Sequence, residues 1–236
     1  MKKLTSWSFS RYATYKLCPL KAKLSFIDRI KEPPNEAMAR GDEIHKKAEK
    51  YIKGLVATLP KELKIFADEF KTLRKAYGKK ILPPTVEETW AFTKDWDKSR
   101  WDDWVNCWVR IKIDCAHHVE DDVLLVSDWK TGKYRDDMVS DYEEQLELYA
   151  LAALLLYAHI KEVRTRLVYV DYGVVHPLRG YFSYTRDDLA RLKKTWDLRV
   201  RKMMKDTSFK PTPNTKCQWC FYRASNKAAG GGQCKY

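Results

Sequence analysis

An α/β core with a helical N-terminal lobe is the fold class that the sequence predicts, on three observations. The hydrophobic periodicity is helical before Pro83-Pro84 and changes to period two after it. One long apolar helical stretch then stands between strand patterns, an order that implies an α/β or α+β core. Hydrophobic residues make up 44% of the 236 and aromatic ones 13%, enough for a sizeable core and too many for a disordered basic tail.

Breaks fall at 31–35 (Lys-Glu-Pro-Pro-Asn), at Pro83-Pro84 and in 207–216, which holds Pro211 and Pro213. They divide what reads as a single domain, 1–236, into a helical lobe (1–84), a core (85–206) and a cysteine-bearing clasp (207–236). Within the lobe, Ile44, Ala48, Ile52 and Leu55 recur at helical spacing, and a second helix is expected over 61–77. Strands are expected over 86–92, over 108–116 with Val109, Ile111, Ile113 and Cys115 on one face, and over 123–130. Ser140-x-x-Glu143 reads as a capping box opening a helix that runs to about His159, with Asp136, Asp137 and Asp141 at its start. Strands at 163–172 and 179–184 follow, and Thr185 caps a helix through about Lys205.

Charge is distributed unevenly. Residues 1–80 carry 20 basic and 9 acidic groups, 81–160 carry 8 and 17, and 161–236 carry 17 and 6. Basic flanks suit a polyanion, most simply nucleic acid, and an acidic middle would repel it unless cations stood between. The N-terminal MKKLTSWSFSRYAT is polar where a secretory signal needs an apolar stretch. The longest apolar run, 146–157, contains Glu147 and is too short for a bilayer. A cytoplasmic chain without a membrane partner is expected (host cytoplasm if the source is viral). Inside a cell the six cysteines point to metal binding or burial rather than disulfides. Cys107 and Cys115 fall in the strand region as packing residues, and His117-His118 stands near a turn, where exposure is expected.

The chemistry centres on a hairpin. With its turn centred on Asp121, Asp114 lies opposite Asp128, and Lys130 shares their face; Ile111, Ile113, Leu125 and Trp129 take the other. Two carboxylates this close need a proton or a cation between them. A divalent ion would polarise a phosphoryl group and acidify water, and Lys130 could orient that water or stabilise the phosphate charge. A plain surface hairpin with an Asp–Lys ion pair is the other reading of the same residues. Glu87 or Glu88 could add a carboxylate.

The strings Ile113-Asp114 and Ser127-Asp128-Trp129-Lys130-Thr131-Gly132-Lys133 resemble the PD-(D/E)XK nuclease superfamily, and within it the RecB-type branch that includes CRISPR-associated adaptation nucleases. Gly41-Asp42-Glu43-Ile44-His45 resembles the branch's G-x-x-x-H helix, Gln145-x-x-x-Tyr149 its Q-x-x-x-Y motif, and Tyr15-x-x-Cys18-Pro19 its Y-x-x-C-P. The resemblance implies a restriction-endonuclease-like core. It implies catalytic roles for Asp114, Asp128, Lys130, Gln145 and Tyr149, and metal ligation of Mg²⁺ or Mn²⁺ by His45, Asp114 and Asp128, with Glu49 a candidate outer partner.

Cys217-x-x-Cys220 is a tight pair suited to metal, followed by Cys234 and preceded by the distant Cys18. Several RecB-type nucleases hold a [4Fe–4S] cluster on one N-terminal and three C-terminal cysteines, and these four match in number and order. Four thiolates suit a structural zinc equally well. The gap from Cys220 to Cys234, with its Ala-Ala-Gly-Gly-Gly, is longer than the family leads one to expect.

The resemblance favours an exonuclease acting on DNA ends or single strands, in recombination, repair or DNA processing. Trp7, Phe9, Arg11, Tyr12 and Tyr15 suit stacking on unpaired bases, though a packing cluster is the favoured reading. No Walker A motif is present, so any helicase or recombination motor would be a separate chain. An inactive DNA-binding adaptor of the same fold, or a nuclease acting on RNA, are the competing classes; the presence of Asp114, Asp128 and Lys130 together argues for activity.

Overall fold

A computed structural model of the chain describes residues 3–33, 35–79, 82–134 and 136–236, without the side chains of 136–140. Pro34 and the side chains of Asp136, Asp137 and Ser140 therefore lie outside the described residues. The elements run α1 (Phe9–Leu17), α2 (Pro19–Ala22), α3 (Glu36–Ile52), α4 (Ala67–Lys79), β1 (Thr85–Phe92), β2 (Val109–Glu120), β3 (Val123–Lys130), α5 (Asp136–Leu156), β4 (Glu162–Tyr169), β5 (Val174–His176), β6 (Phe182–Thr185) and α6 (Leu189–Lys205). Two compact units result, one of Met1–Pro34 with Thr195–Tyr236, the other of Asn35–Lys194. The helices of 36–79 thus belong with the sheet, whereas the expected lobe ran unbroken from 1 to 84.

In the larger unit a six-stranded mixed sheet runs β1-β2-β3-β4-β5, with β6 also pairing with β4. β3 and β4 are parallel, joined through α5, and the other named pairs are antiparallel. Residues 123–129 of β3 are all buried, as a strand covered on both faces should be. On one face Cys115, Trp129, Val168 and Val170 pack with Ile44, Ala48, Tyr51 and Ile52 of α3 and Phe70 and Leu73 of α4. Asp114 and Asp128 alternate with Cys115 and Trp129 and so point to the other face. There α5 packs against β2, β3 and β4, and its Leu146 and Leu148–Leu154 are buried all round the helix.

Several expectations are corrected. Leu55 is outside α3 and exposed. The helix stops because Gly54, at φ 76°, takes the left-handed position, while Leu55 N–H and Gly54 N–H donate to the carbonyls of Lys50 (2.8 Å) and Tyr51 (3.1 Å), a Schellman ending. The segment before α4, Lys61–Phe66, is a 3-10 helix. Ser140 lies within α5, which begins at Asp136, so the capping box there does not form the helix start. The strand expected to reach 172 ends at Tyr169 in a turn leading to the three-residue β5, which is too short to show a period. His117 and His118 lie within β2 and are half-buried, and burial pushes the His117 imidazole down to about 4. The capping box at Thr185 forms with Asp188, opening a 3-10 turn before α6.

In the smaller unit the N-terminal aromatics are core. Trp7, Tyr12 and Tyr15 are buried; Trp7 stacks on Trp196 at 5.4 Å, and Phe9 and Tyr12 meet the same ring edge-on. The base-stacking alternative for this cluster is thereby replaced by packing.

Candidate active site

The hairpin register places the acids. Cys115 pairs with Ser127 and His118 with Leu124, the register implied by a turn centred on Asp121. The turn itself is tighter, with Glu120 opposite Val123, and a bulge between His118 and Glu120 absorbs the extra residue. Cys115–Ser127 is the last regular pair, so Asp114 and Asp128 stand just beyond it, where β2 and β3 part. On the other side, Val86 pairs with Cys115 and Glu88 with Ile113, which brings Glu87 alongside Asp114. Glu87 has φ 53°, a left-handed conformation rare for a side chain larger than glycine's. Glu87, Asp114 and Asp128 therefore line up across three adjacent strands.

Where the strands part, side chains take over the backbone groups. Trp129 N–H donates to Asp114 Oδ2 at 2.7 Å, and Trp129 C=O lies 2.8 Å from His45 Nε2. That carbonyl can only accept, so Nε2 carries the proton. His45 Nδ1 then faces Glu87 Oε1 at 3.1 Å and Asp114 Oδ1 at 3.3 Å. Burial opposes charge on this imidazole, but Asp114 and then Glu87 outweigh it and push its pKa up to about 10. Among the described residues, His45, Glu87 and Asp114 are the set whose ligand atoms come within 4.8 Å of one another. Gly41 makes the approach possible: a Cβ there would lie 3.2 Å from Thr131 Oγ1, so α3 can lie close to the end of β3 one turn before His45.

Asp128 and Lys130 join a closed ring with α5. Lys130 Nζ lies 2.5 Å from Asp128 Oδ2 and donates to Gln145 Oε1 at 3.4 Å. Gln145 Nε2 donates to the Tyr149 hydroxyl at 2.5 Å, and that hydroxyl donates to Asp128 Oδ1 at 3.3 Å. The i, i+4 spacing of Gln145 and Tyr149 puts both on the helix face that meets β3. Burial and then Asp114's charge push the Asp128 carboxyl up, the nearby Lys130 and His45 opposing. For Lys130 burial works against the ammonium, but Asp128 and Asp114 hold it above its ordinary value. Asp128 Oδ2 is buried and accepts no well-formed hydrogen bond; its contact with Lys130 is an ion pair. Asp128 is not within the His45–Glu87–Asp114 set, where the sequence reading had placed it as a ligand. Glu49 bonds Lys53 at 2.7 Å instead of His45.

Two cations near the site went unremarked in the sequence. Lys112 Nζ lies 2.5 Å from Glu87 Oε2; its place two residues before Asp114, on the same face, was the available signal. Arg40 pairs with Asp171 at 2.8 Å twice and donates to Thr131 C=O at 3.1 Å, a tertiary relationship with no sequence signature.

The four cysteines Cys18, Cys217, Cys220 and Cys234 lie in the smaller unit, half-buried and free of disulfides. Cys18 sits extended between α1 and α2, with Pro19 opening α2. Thr212 N–H donates to Cys18 Sγ (3.5 Å) and Asn214 N–H to Cys217 Sγ (3.3 Å). Cys234 is tied beside Tyr222 and Arg223 by its N–H to Tyr222 C=O at 2.8 Å and a bridge to Arg223. Cys107 and Cys115 are buried packing residues.

A mixed sheet flanked by helices, with acids where two strands part and a lysine two residues from one of them, defines a nuclease-type fold. The family model of the PD-(D/E)XK nuclease superfamily matches residues 6–225, and the chain belongs to that superfamily. Among solved structures it is similar to the protein SSO0001, at 11% identity and TM-score 0.45 over 94% of this chain and 85% of that one. It is also similar to a candidate exonuclease of Eubacterium rectale, at 13% identity and TM-score 0.47 over 92% and 86%. None of the curated proteins matches it. Among the described residues, no helix is long and apolar enough to cross a membrane.

Proposed function

We propose that the chain is a metal-dependent deoxyribonuclease, an exonuclease that hydrolyses phosphodiester bonds at DNA ends or in single strands. The observation that supports this most directly is the imidazole nitrogen of His45 facing Glu87 and Asp114 beside the Lys130 ring. The donors fit a small divalent ion, Mg²⁺ or Mn²⁺: the carboxylate oxygens of Glu87 and Asp114 and one imidazole nitrogen, with the Asp128 carboxylate, paired with Lys130, as a further oxygen source. His45, Glu87 and Asp114 would hold the ion, with Asp128 adding an oxygen. When bound, it supplies charge to a phosphoryl oxygen and acidifies water.

The chain's own residues do the rest. Lys130, held above its ordinary value by Asp128 and Asp114, is placed to donate to the phosphate or the attacking water. Gln145 and Tyr149 are positioning residues that hold Lys130 and Asp128 at fixed angles. The basic flanks suit a polymeric anion. DNA as substrate and action at ends rest on the RecB-type motifs, as does a separate helicase or recombination partner. The same motifs assign a [4Fe–4S] cluster to Cys18, Cys217, Cys220 and Cys234, zinc being the alternative. Four sulfurs free of disulfides, two of them accepting main-chain N–H groups, are the ligands that this assignment would use.

The test compares wild type with Lys130→Ala on linear single-stranded, linear duplex and covalently closed DNA, each with Mg²⁺, Mn²⁺ or EDTA. Metal-dependent loss of linear DNA by wild type alone, with circles surviving, is expected. Cutting of circles would make it an endonuclease, and no cleavage of any substrate would end the catalytic reading for DNA.

A further inference from the structure

The face of β2 that carries Asp114 continues outward as a row of cations. Lys112 and Arg110 precede it at every second residue and share its face by the period of two. At about 6.8 Å per two residues, Arg110 stands about 14 Å from Asp114, a few nucleotides of an unpaired strand. Lys112 is exposed. Arg110 ends the row under an aromatic cap: its guanidinium lies 4.6 Å from the ring centre of Trp104 and 5.9 Å from that of Trp101. Its Nε donates to Trp101 C=O at 2.9 Å.

Trp104 is nonetheless 79% exposed, and Val105 beside it 90%. The connection between β1 and β2 is built to hold them there. Asp103 accepts from Val105 N–H at 3.0 Å, Asn106 N–H at 2.9 Å and the Asn106 amide at 3.0 Å. Asp102 is neutralised by Arg100 at 2.7 Å. One side of the Trp104 ring is backed by a cation, and the rest is open to solvent. An exposed indole is a large apolar surface, and the face not backed by Arg110 is available to a ligand.

We infer that Trp104, Arg110 and Lys112 form a track for single-stranded DNA leading to the acids of β1–β3, with an unpaired base stacked on Trp104 and phosphates on Arg110 and Lys112. This rests on the nuclease reading and adds to it a reason for preferring unpaired strands. Stacking needs a free base face, which the interior of a duplex does not offer, and a cation row alone would not discriminate.

Binding in EDTA, where no strand is cut, tests the track by itself. Fluorescence anisotropy would compare wild type, Trp104→Ala and Trp104→Phe on a single-stranded oligonucleotide and on blunt duplex. Trp104→Ala is expected to weaken single-strand binding about 5- to 100-fold, with Trp104→Phe close to wild type and duplex affinity unchanged for all three. A strand carrying iodouracil should crosslink on irradiation to the peptide containing Trp104. The inference is overturned by equal single-strand affinity of wild type and Trp104→Ala, by an equal loss on duplex, or by a crosslink elsewhere; the tip would then be left as a protein-docking surface. Cleavage by wild type with Mn²⁺ is scored separately. Cleavage with no effect of Trp104→Ala removes the track alone, and single-strand binding with no cleavage removes the nuclease reading alone.

Discussion

His45 Nε2 lies 2.8 Å from the main-chain carbonyl of Trp129, the residue between Asp128 and Lys130. The helix that carries His45 and the strand that carries the acid and the lysine are thereby joined at the site itself. The contact also fixes the ring, aiming Nδ1 at Glu87 and Asp114.

Metal affinity should follow that arrangement. Titration of Mn²⁺ into His45→Ala and Glu87→Gln by calorimetry is expected to show binding weakened at least about tenfold for each. Glu88→Gln, on the same strand but outside the set, should bind as wild type does. Equal affinity for wild type and His45→Ala would remove the imidazole from the ligand set.

The ring through α5 predicts graded effects on turnover. Lys130→Ala should lower kcat by about 10²–10³. Gln145→Ala leaves the lysine charged but unguided, and about a tenfold loss in kcat with little change in KM is expected. Tyr149→Phe keeps the ring's packing and removes one donor to Asp128, so a smaller loss should follow. A change confined to KM in Gln145→Ala would mean that it contacts substrate rather than positioning Lys130.

Much of this site was legible, for reasons that can be traced to particular residues. Asp114, Asp128 and Lys130 could be aligned because the strand period is two and the hairpin is local. The tighter turn would have misplaced them by one residue had the bulge near Val119 not restored the register. Gln145 and Tyr149 could be set on one face of α5, but their link to Asp128 is tertiary. Glu87 could not be chosen over Glu88, because only the pairing of β1 with β2, which the sequence does not show, sets Glu87 alongside Asp114. The aromatic N-terminus was ambiguous, since its partner Trp196 is far along the chain. Leu55 was misread because a hydrophobic pattern does not see Gly54 ending the helix.

Gly41 gives a test of the close approach between α3 and β3. Alanine in a helix interior is worth about 1 kcal/mol over glycine, but here its Cβ would crowd Thr131 Oγ1. Gly41→Ala alone should therefore change stability little. Gly41→Ala combined with Thr131→Ala should be about 1 kcal/mol more stable than Thr131→Ala. Urea unfolding checks this, and a full gain from Gly41→Ala alone would show that the contact is slack.

The proposed cluster on Cys18, Cys217, Cys220 and Cys234 predicts what the purified chain carries. Anaerobically prepared protein should contain iron and acid-labile sulfide in equal amounts, with broad visible absorbance. Cys18→Ser or Cys234→Ser should lose both. Zinc in place of iron would favour the structural alternative, and a chain with neither metal would set these residues aside as plain thiols.

Asp206, in the smaller unit, provides a pH dependence of its own. Burial raises its pKa, but hydrogen bonds from Phe209 N–H, the Tyr15 hydroxyl and Ser208 more than offset this and bring it down from 3.8 to about 2. The Tyr15 bond is 2.7 Å long, and those from Ser208 N–H and Phe209 N–H are 2.8 and 3.0 Å. A carboxyl lowered on folding contributes stability that is present above its unfolded value and is lost as pH falls through the folded one. The window therefore runs from about pH 4 down to about pH 2, and the contribution is about 1–2 kcal/mol for a half-exposed group. Asp206→Asn should be less stable than wild type at neutral pH by about that amount, and the difference should shrink as pH falls through the window. Thermal melts across that range, read by near-ultraviolet circular dichroism, would show the two curves converging; parallel curves would mean that Asp206 stabilises by its shape and not by its charge.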